Sequence, residues 1–61
     1  MKFTIEIQCD NAVFEDNMRG EVARILKEAI LKLEYDFKEV FPLHDNNGNR
    51  VGFASFDETA P

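Results

Sequence analysis

The chain is predicted to fold as an α+β domain, a βαββ unit whose three-stranded antiparallel sheet has the order 2-3-1 with one helix packed on one face. Three observations carry that prediction. Phe3, Ile5, Ile7 and Cys9 alternate with Lys2, Thr4, Glu6 and Gln8, a period of two that marks a strand with one buried face. Met18, Val22, Ile25, Leu26, Ala29, Ile30 and Leu33 recur at helical spacing. Two short apolar runs flank the polar stretch Asp45-Asn46-Asn47-Gly48-Asn49, the pattern of a β-hairpin.

The first strand ends at Asp10 and Asn11, and the polar loop that follows contains Val13 and Phe14 as apolar exceptions. One of these is expected to pack against the first helical turn as a hydrophobic staple. Asp16 or Asn17 is the expected N-cap, because either side chain accepts from otherwise unpaired first-turn N–H groups. Glu21 near that end suits the helix dipole. The helix is predicted from Met18 to Asp36, with Glu28–Lys32 and Glu34–Lys38 ordered for favourable i,i+4 pairing.

Val40 to Asp45 reads as the second strand and Arg50 to Phe56 as the third. Pro42 has no N–H to give a ladder, so its strand belongs on a sheet edge or at a bulge. Placing the third strand in the centre makes every neighbour antiparallel, puts the Pro42 strand on an edge and allows a right-handed crossover. Along the third strand Val51, Phe53 and Ser55 should face one way and Gly52, Ala54 and Phe56 the other. Both faces then carry an aromatic, while one helix covers only one face.

With 61 residues and no repeat or linker, the chain is read as one domain over 1–61, with 57–61 as a flexible tail. A domain of this size buries only about 60% of its unfolded surface and gains little net stability from one core. Cys9 is the only cysteine, so no intrachain disulfide adds support, and self-association or partner binding is the expected source. No unbroken apolar stretch exceeds the length of Ala29 to Leu31, so neither a membrane span nor a secretory leader is read and a cytoplasmic location is expected. The net charge of −5 opposes direct binding of a phosphate backbone and favours a basic protein surface.

The residues that could carry chemistry are sparse. Asp45, Asn47 and Asn49 alternate like the first ligands of a calcium loop, but Gly48 precedes the place that motif requires and Phe56 stands where its bidentate Glu belongs. The same residues suit a tight turn. Cys9 and His44 lie near ends of strands that run the same way, which opens the alternative of a thiol nucleophile with a base. Their other reading is a small apolar filler and a solvated imidazole. No metal site or cofactor is expected.

What remains is surface. Leu31 and Tyr35 lie outside the core stripe of the helix and should be exposed in a monomer. With Phe56 they are the expected apolar partner contacts, and Glu15, Asp16 and Glu34 the charged rim. Acidic residues gather at Asp10, Glu15, Asp16 and Glu21 and again at Glu34, Asp36 and Glu39, which offers an alternative of carboxylates presented in place of nucleic-acid phosphates.

The segments Phe3 to Ala12, Glu21 to Ala29 and Asp45 to Gly52 together resemble small uncharacterised proteins encoded by bacteriophages and prophages. The likeness covers most of the chain as an overall pattern and brings no active site with it. Met18 departs from it, standing where such sequences would carry a helix-starting proline. The resemblance implies an accessory protein of a class that includes inhibitors of host machinery, among them anti-CRISPR proteins. The reading is therefore a non-enzymatic, acidic interaction module that forms a homodimer or binds a host protein complex. Its alternatives are a DNA-mimicking inhibitor and a small thiol-dependent enzyme or ligand sensor.

Overall fold

In the computed structural model, which describes residues 1–59, the chain runs β1 (Lys2–Ile7), α1 (Val13–Asp16), α2 (Met18–Tyr35), β2 (Val40–His44) and β3 (Arg50–Asp57). The three strands form one antiparallel sheet in the order β1-β3-β2, which is the arrangement 2-3-1 counted from the opposite edge.

Pro42 explains why β2 is an edge. The Phe56 N–H donates to the Glu39 carbonyl at 2.8 Å, so Glu39, Phe41 and Leu43 turn their backbone groups towards β3 and Pro42 turns its own outward. The missing N–H of Pro42 therefore removes no ladder bond. Its carbonyl, facing the edge, accepts from Lys32 Nζ at 2.9 Å. The Lys32 ammonium also lies 5.8 Å from the centre of the buried Phe41 ring.

The hairpin turn closes with Asp45 N–H donating to the Asn49 carbonyl at 2.9 Å and Gly48 N–H donating to the Asp45 carbonyl at 3.0 Å. Gly48 sits at φ 85°, the left-handed region that glycine enters without steric cost.

The core comprises Phe14, Ile25, Ala29, Phe41, Leu43, Val51 and Ala54, with Ile5, Ile7, Val22 and Leu33 packed partly against it. Strict alternation would separate Val51 from Ala54. The register slips between Leu43 and His44, leaving Val51 as the extra residue of β3, and the slip returns it to the core side. Phe56, which pairs with Phe3, shares the core-side face with Ala54, whereas Phe53 opens onto the uncovered face beside Pro42 and Glu6.

Four local expectations change. The loop after β1 holds a second helix, α1, whose Phe14 is a central core residue and not a peripheral staple. The expected Glu28–Lys32 pair is replaced, because Arg24 Nη1 takes Glu28 Oε1 at 2.7 Å while Lys32 reaches Pro42. Glu34–Lys38 is no helical pair either, since α2 ends at Tyr35. The expected tail from Asp57 is ordered at its start: Asp57 pairs with Lys2 and accepts from the Thr59 N–H and hydroxyl at 2.9 and 2.7 Å. Ala60 and Pro61 lie outside the described residues.

Candidate protein-interaction surface

The apolar face of α2 is wider than the ground it covers. Arg24 and Lys32 reach the carbonyls of His44 and Pro42, which places that flank of the helix over β2. Ile25 and Ala29 are buried beneath the helix, but Leu26 and Ile30, on the flank turned away from β2, keep 39% and 52% of their surface exposed. β1 lies on that side of the sheet, and its Phe3 is 40% exposed. The helix thus leaves an apolar strip open between itself and the β1 edge.

One end of the strip is aromatic. Phe3 and Phe56 stand opposite each other with ring centroids 4.7 Å apart and planes inclined by 44°. Phe56 then meets Leu33, Phe37 and Met1 around an open cleft of about 450 Å³, rimmed by Lys38, Glu39 and Glu58. Phe37 follows the helix C-cap Asp36 with φ 55° and is 86% exposed. A left-handed backbone at this position normally selects glycine, so a phenylalanine here carries strain and also exposes an aromatic ring.

The residues expected as partner contacts do not come together. Leu31 and Tyr35 are exposed, at 56% and 73%, but Leu31 lies roughly 160° around the helix from Leu33, on the opposite flank from the Phe56 cleft. Glu15, Asp16 and Glu34 are all exposed. The first two precede the N-terminus of α2 and the third lies near its C-terminus, about 25 Å away along the axis, too far for one rim. Phe37, Phe3, Ile30 and Leu26 are the exposed apolar side chains of this strip, and none of them is among the residues expected as partner contacts. Ile30 and Leu26 belong by spacing to the apolar stripe of the helix, and the exposure of Phe37 follows from a backbone conformation that no sequence pattern signals.

Two acidic residues leave the surface altogether. Asp45, 4% exposed, accepts from the backbone N–H groups of Asn47 and Asn49 on one oxygen, and from the side-chain amides of Asn11 and Asn49 on the other. Burial pushes its carboxyl up, yet these donors together hold it below the ordinary range. Both oxygens are thus occupied by donors, which is the environment of a turn anchor and not of a calcium ligand. Glu21 receives Arg24 Nε at 2.7 Å and the Asn46 backbone N–H at 2.7 Å. Its carboxyl is held below the ordinary range chiefly by the Arg24 hydrogen bond, against the opposing effect of burial. Glu21 therefore drops out of the acidic patch.

Cys9 follows β1, which ends at Ile7 and not at Cys9 as expected, and His44 ends β2; β3 lies between these two strands and sets them about 10 Å apart. The Cys9 thiol is half-buried against the core and directed at the Ile7 carbonyl, 3.8 Å away, and the His44 carbonyl is held by Arg24 at 3.0 Å. Among the described residues no group of three or more His, Cys, Asp or Glu side chains is arranged to hold a metal ion, and no helix is long and apolar enough to cross a membrane. Comparison with known protein families, curated proteins and solved structures finds nothing that matches this chain.

Proposed function

We propose that the chain is a protein-interaction module whose contact surface is the apolar strip between α2 and the β1 edge, ending in the aromatic cleft at Phe37 and Phe56. The observation that supports this most directly is Phe37, an almost fully exposed aromatic held at φ 55° beside an apolar hollow. Exposed aromatics next to a pocket are the residue type on which binding energy concentrates. Contiguous apolar surface of this sort marks contact sites on small domains.

We propose further the phage or prophage origin expected from the sequence, and with it a mechanism: the occupation of a site on a host protein complex in the cytoplasm, without a chemical step. The acidic balance favours a partner with a basic surface around its apolar contact.

Capture from a bacterial lysate on the immobilised chain tests the assignment, with the captured protein identified by mass spectrometry. Ile30→Glu/Phe37→Ser should lose the captured protein while keeping a native circular dichroism spectrum, and Leu31→Ser/Tyr35→Ser should retain it. The reverse result would move the contact to the outer helix flank.

A further inference from the structure

The two sheet edges are built differently. β2 is closed to further strands by Pro42, which offers no N–H, and by Lys32, which occupies the Pro42 carbonyl. β1 has neither protection. The Gln8 N–H donates to the Val51 carbonyl at 2.8 Å, and the Glu6 carbonyl is turned so closely onto Gly52 that a Cβ there would collide with it. Even-numbered residues of β1 therefore bond to β3, and by antiparallel alternation Phe3, Ile5 and Ile7 present their N–H and C=O groups at the free edge.

We infer that β1 pairs antiparallel with β1 of a second copy, in the register that sets Thr4 against the partner's Thr4. This assignment rests on the proposed contact strip and divides it, giving the β1 edge to a second copy and leaving the cleft at Phe37 and Phe56 to the host partner. The sequence of β1 is self-complementary in that register. Lys2 falls opposite the partner's Glu6, and Glu6 opposite the partner's Lys2, all of them exposed in the single chain. Phe3 falls opposite the partner's Ile5, and both present free backbone groups to each other, as a hydrogen-bonded pair requires. Shifting by two residues to centre on Ile5 keeps the backbone bonding but sets Lys2 against the partner's Gln8 and loses both charge pairs.

The pairing joins two three-stranded sheets into one continuous sheet and brings the open strips beside Leu26 and Ile30 together across the two-fold axis. It also stops at two copies, because the outer edges of the dimer are the two blocked β2 strands. This gives a small domain the burial that a single core does not provide.

The test is sedimentation equilibrium over a concentration series, with charge reversals and a cross-link. The native chain should show twice its 7.0 kDa mass. Lys2→Glu and Glu6→Lys each place like charges opposite one another twice per dimer and should each raise the dissociation constant about tenfold. Mixing the two variants restores both charge pairs and should return native affinity as a heterodimer. In a Cys9→Ser background, Thr4→Cys should oxidise to a covalent dimer, since facing Cα atoms at about 4.5 Å suit a disulfide. Glu6→Cys should remain uncross-linked. Charge reversals without effect, or a cross-link at position 6 and not 4, would overturn the register. A native chain monomeric at every concentration would overturn self-pairing itself, and the lysate capture would still judge the contact strip independently.

Discussion

Glu21 Oε2 accepts the backbone N–H of Asn46 at 2.7 Å across 25 residues of sequence, fastening the first turn of α2 to the tip of the β2–β3 hairpin. Beside it Asp45 receives the Asn11 side-chain amide at 2.7 Å, and Asn11 Oδ1 accepts the Val13 N–H at the start of α1. Two carboxylates and one asparagine thus tie both helices to one turn. Among the described residues no buried side-chain nitrogen or oxygen lacks a hydrogen-bond partner, so the network is complete.

Its completeness sets the acid response. Folding lowers both carboxyls from ordinary values of 4.5 for Glu21 and 3.8 for Asp45. A group depressed in the folded state contributes stability that is present above its unfolded pKa and is lost as pH falls through the folded one. The urea midpoint should therefore hold between neutral pH and about pH 5 and fall steeply below pH 4. Glu21→Gln should lower the midpoint at neutral pH and flatten the acid limb, because the ion pair with Arg24 is already gone. An acid limb as steep as in the native chain would show that other carboxylates control it.

The N-cap of α2 predicts a non-additive pair. Asn17 Oδ1 accepts the Gly20 N–H at 3.1 Å, and its side-chain amide occupies the place where a Cβ on residue 20 would stand. Asn17→Ala should cost about 1 kcal/mol in urea unfolding. Gly20→Ala in an ordinary helix would add about 1 kcal/mol, but here it displaces the cap and should come out close to neutral. In the Asn17→Ala background the same substitution should recover the full gain. Equal effects in both backgrounds would mean that the cap tolerates the methyl group.

Gly52 is required by close approach and not by a left-handed backbone. A Cβ there meets the Glu6 carbonyl and backbone atoms that have no freedom to move aside. Gly52→Ala should therefore destabilise the domain by about 1–3 kcal/mol through displacement of β1 from β3. Hydrogen exchange should localise the loss to amides of β1, with β2 still protected.

The architecture was legible because it rests on local patterns: the alternation in β1, the spacing in α2 and the constraint that Pro42 places on its strand. The left-handed turn glycine was legible for the same reason, since Gly48 stands in a stretch of Asn and Asp that no strand would tolerate. Phe14 was not, because one aromatic among polar residues gives no period, and only the packing of α1 on α2 places it at 1% exposure. Glu21 read as a dipole-compatible surface acid, and its partners Arg24 and Asn46 become visible only once the hairpin folds back on the helix. The exposed apolar strip was hidden for a different reason. Periodicity reveals that a helix face is apolar, but the position of the helix over β2 decides which half of that face is covered, and this depends on Arg24 and Lys32 reaching backbone carbonyls.

Phe37 provides the sharpest separation of stability from contact. At φ 55° a side chain crowds its own backbone, and a non-glycine residue there costs about 1–2 kcal/mol. Phe37→Gly should therefore raise the urea midpoint, by about 1 kcal/mol in unfolding free energy, because the ring is 86% exposed and gives little packing in return. The same substitution should abolish partner capture if Phe37 anchors the cleft. Phe37→Tyr keeps both the strain and the ring, and should match the native chain in stability and in capture. A glycine variant that is both more stable and fully competent in capture would remove Phe37 from the contact and leave its conformation without a functional account. A glycine variant that is less stable would instead show that the ring packs across the cleft onto Leu33 and Phe56 in solution.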